Sequence, residues 1–415
     1  MRVGLLSQWF DPEPGPASLP GVLARGLAKR GHEVRVLTGF PNYPTGRLMS
    51  GYRMARRMEE TLEDVRIRRV ALYPSHDASP VHRVATYGSF AMSAIVSGVD
   101  ALRDLDAVWV SNSPITVSLP MWFVRYVHKV PVVLHVLDLW PDSVRASGLV
   151  APGRTLRALE RGMSAWCRGM YRSAGRIAYI SPGVGDLLQR RGVAKEKLVY
   201  IPMWADESAL TPAANDMRAE LSIGPDQTVL VYAGTLGETQ GLTALVDACA
   251  AVVDDRRLVC LVAGSGVAEE SLRQRARTSG ATNIRFLGRL PKERMPALMA
   301  TGDVHFVGLR PTSMAAYTMP SKVQATLASG RAMLVAGEGD VATVARQSGA
   351  AVTVLPDDPV AIAAGIRAMC DLGRDELRDM GRQGRAYYAR TFSVEAGVER
   401  VEAALLHAKG MRVHL

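Results

Sequence analysis

The chain has 415 residues, 48% of them hydrophobic and 22% charged, which describes a folded globular protein of two or three domains and excludes a disordered one. Its net charge of +10 suits anionic partners, but the arginines are spread along the chain and no nucleic-acid module is present, so nucleic acid is not an expected partner. Four cysteines (Cys167, Cys249, Cys260, Cys370) lie far apart in sequence without zinc or C-x-x-C spacing, and no run of eighteen apolar residues predicts a membrane span.

In chain order, Val3–Ser7 reads as a first β-strand rather than a signal peptide, because Gln8, Asp11 and Glu13 follow too early. A cytoplasmic protein is the resulting expectation. A proline-stiffened loop, Phe10 to Ser18 with Gly15 in it, leads to a helix whose apolar face carries Leu19, Val22, Leu23 and Leu27. Gly31 ends that helix, and 33–38 forms the next strand, completing a βαβ unit. Further strands are predicted at 107–111, 131–136, 177–180 and 198–201. Between them, 84–99, Met121 to Val124 and 156–176 carry apolar and basic residues. They would either pack on the core or, as basic amphipathic helices, touch an anionic membrane.

A second series runs 229–233, 258–263, 284–287, 304–307, 332–335 and 352–355, with helical patterns between its members. Two such blocks predict an α/β protein of two doubly wound parallel sheets, with ligands beyond the carboxyl ends of the strands in a cleft between domains. The expected domains are 1–206, joined by a terminal helix within 392–415, and 207–391.

Chemistry-bearing residues fall in the loops after strands. Asp138-Leu139-Trp140-Pro141-Asp142 offers two carboxylates and an indole suited to sugar hydroxyls, or else a turn with Asp142 capping a helix and Trp140 in the core. Gly234-Thr235-Leu236-Gly237-Glu238-Thr239-Gln240-Gly241 lets backbone N–H groups reach an anion, and Gly337 to Asp340, containing Gly339, is a second candidate of that kind. Pro320-Ser321-Lys322 opens a helix, where free N–H groups, the positive dipole end and an added ammonium suit a phosphate. An ordinary helix start with a solvated lysine is the competing reading.

Together these pieces resemble the family-four retaining glycosyltransferases of the GT-B fold, closest to the bacterial fucosamine and N-acetylhexosamine transferase subgroup. Pro41-Asn42-Tyr43-Pro44-Thr45-Gly46 is similar to the subgroup's N-Y-P-x-G segment, 138–141 to its D-L-W-P motif, and 234–241 to its glycine loop ending in Q-G. The resemblance implies a sugar moved from a nucleotide-diphosphate donor, UDP favoured and GDP or dTDP alternatives, to a glycan or lipid-linked acceptor, with no metal or other cofactor. It implies Asp138 and Lys322 as catalytic, with Gly15, Gly234, Thr235, Gln240, Gly288, Arg289, Ser321 and Gly339 on the donor side. Tyr43, Trp140 and Asp138 would face the acceptor, and contact would be peripheral at the inner membrane face. The sequence departs from the family where two glutamates are common, having Tyr317 and Ala325 instead, so ribose must be held differently. Two alternatives follow: transfer to a soluble specialised metabolite, and a catalytically silent GT-B binding protein.

Overall fold

The computed structural model describes residues 1–76, 79–147, 153–207 and 215–410. They form two compact units, one of residues 1–202 with 394–415 and one of residues 203–393.

The first unit is a sheet of β1 (Arg2–Leu6), β2 (Glu33–Gly39), β3 (Arg57–Leu62), β4 (Val65–Val70), β5 (Ala107–Ser111), β6 (Val132–Val136), β7 (Arg176–Tyr179) and β8 (Leu198–Tyr200). The spatial order is β3-β4-β2-β1-β5-β6-β7-β8, all parallel except the edge pair β3 and β4. Helices α1 (Leu19–Lys29), α2 (Pro80–Ser97), α3 (Ser118–Tyr126), α4 (Asp142–Ser147), α5 (Arg154–Ser173) and α6 (Pro182–Arg190) connect the strands. The central strands β5 and β6 are buried at every position, as a sheet covered on both faces requires. Strand order reverses at β1, which lies between β2 and β5, so loops after β1 and β5 open at the switch point where such sheets take ligands.

The hairpin β3–β4 has no counterpart among the predicted elements. Its signal is the alternation Val65-Arg66-Ile67-Arg68, with Val65 and Ile67 buried, and a turn at Glu63 and Asp64, both at positive φ. Arg69 on β4 is buried and donates to the Gly39 carbonyl at 3.1 Å and to Glu60 at 2.6 Å. It also donates to the carbonyl of Asp11 at 2.5 Å, tying the first loop to the sheet.

The C-terminal helix Val394–Gly410 packs within the first unit. Glu402 receives Arg30 at 2.7 Å and His32 at 2.6 Å, while Lys409 reaches Asp106 at 3.3 Å. Contact is close enough that a Cβ at Gly26 would stand 2.5 Å from Val398.

The second unit comprises β9 (Thr228–Ala233), β10 (Leu258–Ala263), β11 (Ile284–Gly288), β12 (Val304–Gly308), β13 (Ala332–Ala336) and β14 (Ala351–Val354), in the order β11-β10-β9-β12-β13-β14. Helices α7 (Leu242–Ala251), α8 (Glu269–Ser279), α9 (Met295–Thr301), α10 (Ser321–Ser329), α11 (Asp340–Gln347) and α12 (Pro359–Thr391) alternate with them. Here the order reverses at β9, and its following loop starts at Gly234. All four cysteines are buried. The separation of Cys249 and Cys260 in sequence is misleading, because α7 and β10 bring the two thiols together. The Cys260 thiol is raised well above its ordinary value by the hydrogen bond with Cys249 and by burial.

Candidate functional site

In the second unit, three loops beyond the strand ends are stitched together by backbone. Gly234 donates to the Ala263 carbonyl at 2.9 Å, Leu236 to Ser265 at 2.9 Å, and Gly264 to Gly288 at 2.8 Å. A Cβ at Gly264 would stand 1.8 Å from the Gly234 carbonyl oxygen, so a side chain there would drive the loops apart. Gly264-Ser265-Gly266, following β10, is therefore part of the cradle although sequence reasoning passed it over. Two glycines directly after a buried strand were the signal.

Lys322, second residue of α10, lies over this cradle. Its Nζ is 5.0 Å from the centroid of the Tyr232 ring, and a Cβ at Gly234 would come within 2.8 Å of both Cε and Nζ. Gly234 has φ +144, so both the space and the backbone ask for glycine. The Tyr232 hydroxyl donates to the Thr235 carbonyl at 2.6 Å, holding the ring beneath the ammonium, and burial pushes its phenol well up. Burial also pulls the Lys322 ammonium below the ordinary lysine value. Among the described residues it has no carboxylate or hydrogen-bond partner. A desolvated cation with only a ring face for company, at a helix start with free N–H groups, is arranged to receive an anion.

The other donor-side residues take these places. Thr235 and Ser321 are exposed at the loop and at the start of α10. Gln240 folds back so that its Oε1 is buried without a partner, 2.8 Å from where a Cβ on Gly237 would be. Gly288 ends β11, joined to the cradle through Gly264, and Arg289 beyond it is exposed. Gly339 directly precedes α11, and an added Cβ there would lie 2.6 Å from the Cα of Ala316, which gives this glycine a packing reason. Ala325 is half-buried in α10. A pocket of about 480 Å³ beside the glycine loop is lined by Glu238, Asp247 and Asp357, with Arg310 paired to Asp357 at 2.9 Å, so its lining does not favour a phosphate.

In the first unit, Asp138 follows β6 and is held from β5. Asn112 accepts the N–H groups of Leu137 and Asp138 on its Oδ1, at 2.7 and 3.1 Å, and donates from Nδ2 to the Asp138 carbonyl at 2.8 Å. The Ser113 hydroxyl donates to the Asp138 carboxylate. Burial raises the Asp138 carboxyl above its ordinary value, and the Ser113 hydroxyl opposes this. Neither Asn112 nor Ser113 was singled out from sequence, since nothing in Ser111-Asn112-Ser113-Pro114 announces a partner twenty-five residues on.

Trp140 is half-buried with its indole N–H buried and unpaired, and its carbonyl receives Arg191 at 2.8 Å. Asp142 is not free for a sugar, because it pairs with Arg191. Tyr43 packs edge-on against His76, centroids 5.0 Å apart, and its N–H donates to Glu13 at 2.9 Å. Glu13, buried, also accepts N–H groups from Phe10 and Asn42 at 3.0 and 2.8 Å, and so binds the loop after β1 to that after β2. Gly15 is exposed at φ +67, with open space where a Cβ would be.

Among the described residues no helix is long and apolar enough to cross a membrane. The stripe foreseen on α5 divides: Leu156 and Met170 are buried, while Leu159 is 41% exposed and Arg157, Arg161, Arg168 and Arg172 are exposed.

Residues 15–204 match the glycosyl transferase 4-like domain, and residues 227–371 match the glycosyl transferases group 1 domain. The two domains together identify the chain as a glycosyltransferase, and its two-unit parallel-sheet architecture is the GT-B fold. This glycosyltransferase is 26% identical over 367 residues to Escherichia coli WcaI, named as a glycosyl transferase of colanic acid biosynthesis, covering 86% of this chain and 89% of that one. Its fold is similar to that of sucrose-phosphate synthase from Thermosynechococcus elongatus, with a TM-score of 0.69, 17% identity, and 97% of each chain covered. It is also similar to Anabaena HepE, solved with UDP and glucose, with a TM-score of 0.66 and 15% identity, covering 98% of this glycosyltransferase and 99% of that chain.

Proposed function

We propose that this glycosyltransferase moves a hexosyl or N-acetylhexosaminyl group from a nucleotide-diphosphate sugar, UDP favoured, to a glycan or lipid-linked acceptor, with retention of anomeric configuration and no metal. The observation that carries the reading is Lys322, a desolvated ammonium without a counter-ion among the described residues, set against Gly234 and the start of α10. In this reading the diphosphate lies on the cradle of Gly234 and Thr235. Lys322 and the helix N–H groups meet the negative charge that grows on it as the sugar departs. The sugar passes through an oxocarbenium-like state, the acceptor oxygen bonds to the anomeric carbon on the face the diphosphate leaves, and the hydroxyl proton goes to the departing diphosphate. Asp138 is assigned to the acceptor side. The UDP held by HepE and the naming of WcaI support the donor and the glycan product.

Lys322→Ala is expected to lower turnover by about three powers of ten, the loss of a charge-assisted contact to the leaving group. The assay is run in EDTA, and calorimetry with UDP, GDP and dTDP measures binding in the same variant. Undiminished turnover in the variant would remove Lys322 from the reaction; activity only with added metal would remove the metal-free mechanism.

Ala325 supports a second reading, a GT-B protein that binds without catalysing, because an alanine there offers no acceptor to ribose. An intact fold that takes up none of the three nucleotides in the calorimeter would favour that reading.

A further inference from the structure

A pocket of about 530 Å³ lies in the first unit, lined by Pro141 of the loop that carries Asp138, by Asp142 and Arg145 of α4, and by Arg191 just beyond α6. Its long wall is α5, which contributes Arg157, Glu160, Arg161, Ser164 and Arg168. Residues 157, 161, 164 and 168 are spaced by four, three and four, so one helix face points into the pocket. Five guanidinium groups meet two carboxylates there, and both carboxylates are taken: Asp142 by Arg191, and Glu160 by Arg145 at 2.7 Å. Among the described residues Arg157, Arg161 and Arg168 have no acceptor.

Arg157 and Arg161 stand four apart, a spacing at which like charges oppose helix formation, and the acid between them, Glu160, is taken by Arg145. Another side of α5 supplies the packing, through Leu156, Cys167 and Met170, all buried. Arg191 joins the pocket to the acceptor-side loop, since it donates to the Trp140 carbonyl at 2.8 Å as well as to Asp142. Burial pulls the Arg191 guanidinium down, but Asp142 and Tyr171 outweigh that and hold it above its usual value, so it remains a fixed cation in the wall.

We propose that this pocket seats a phosphate or diphosphate group carried by the acceptor. The inference rests on the transferase reading above and narrows its acceptor to an anionic sugar phosphate or lipid-linked sugar diphosphate. Arginine forks suit phosphoryl oxygens, which they bind two at a time, and the pocket has the size of a small-molecule site. Asp138 lies three residues before Pro141 in the loop that lines the pocket, so a phosphate held there keeps the acceptor sugar beside that carboxylate.

The test uses inorganic pyrophosphate and calorimetry on the full chain without magnesium. Wild type is expected to bind two equivalents, Lys322→Ala one, the triple variant Arg157→Gln/Arg161→Gln/Arg168→Gln one, and the combined variant none. If Lys322→Ala binds none, the arginine pocket is overturned while the donor site stands. If the triple variant still binds two, the site lies elsewhere and the pocket is again overturned. Two equivalents in Lys322→Ala, with one in the triple variant, would instead sink the donor assignment and leave the pocket in place.

Thermal melting checks that each variant folds. The Arg→Lys triple, which keeps charge but loses the forks, should weaken pyrophosphate about tenfold. In Lys322→Ala, displacement of bound pyrophosphate by a soluble sugar 1-phosphate, or by vesicles carrying a polyprenyl diphosphate, would support the acceptor role and identify its source. Displacement by neither would reduce the pocket to an inorganic-ion site and overturn the proposal. The triple variant should also raise the acceptor KM at least about tenfold while leaving UDP affinity unchanged.

Discussion

At the scale of single residues, Asp138 shows how position and protonation are set by different neighbours. Asn112 holds the backbone on both sides of the carboxylate, so it governs where the group is. Ser113 donates to the carboxylate itself, so it governs when the group is ionised. Burial favours the neutral acid and the hydroxyl favours the anion. If the anion is the working form, activity is lost as pH falls through a value above the ordinary aspartate range. Ser113→Ala removes the opposing donor, and its acid limb in a kcat/KM profile should move to higher pH while UDP affinity holds. An unmoved acid limb would mean that another group titrates.

At the scale of elements, each sheet carries one buried histidine in a central strand. His135 on β6 bonds through Nε2 to the Ile201 carbonyl at 2.9 Å and packs edge-on to Trp109. His305 on β12 bonds to the Met299 carbonyl at 3.1 Å and to Thr326 at 3.2 Å. Burial drives both imidazoles down to about 4. Above the unfolded value near 6.5 both states are neutral and the histidines cost nothing. As pH falls from there towards about 4, only the unfolded chain takes up protons, so stability drops by about 1.4 kcal/mol per pH unit for each histidine. Denaturant melts from pH 7 to pH 4 should show this slope, and His135→Gln should remove about half of it. The same slope in that variant would move the acid sensitivity to other groups.

At the scale of the whole molecule, the proposed residues divide between two compact units, Asp138 in the first and Gly234 and Lys322 in the second. Five of the six tryptophans lie in residues 1–202, and only Trp204 falls in residues 203–393. Tryptophan fluorescence therefore reports mainly the first unit, while calorimetry reports both. UDP at about 100 times its Kd should stabilise the unit that binds it by about 2.7 kcal/mol. With the donor on Lys322 and Gly234, the calorimetric transition should rise more than the fluorescence transition, and Lys322→Ala should abolish the difference. Equal shifts by both probes would count against a donor site carried by one unit.

Local signals carried much of this protein. Buried parallel strands are continuous apolar runs, so 107–111 and 258–263 were legible residue for residue, and helix starts and glycine loops are written in adjacent residues. Thus the two α/β blocks, the Lys322 helix start and the loop at Asp138 could be read from the chain alone. What tertiary structure decided were pairings between distant segments. Strand order put Asn112 and Ser113 under Asp138, Gly264 against Gly234, Cys249 beside Cys260, and Arg191 across from α5. The β3–β4 hairpin was missed because its edge strand β3 is largely exposed, and its charged residues lack the apolar run that betrays a central strand. Sequence period records which face of an element meets the core; it carries no record of which other loop that element will meet.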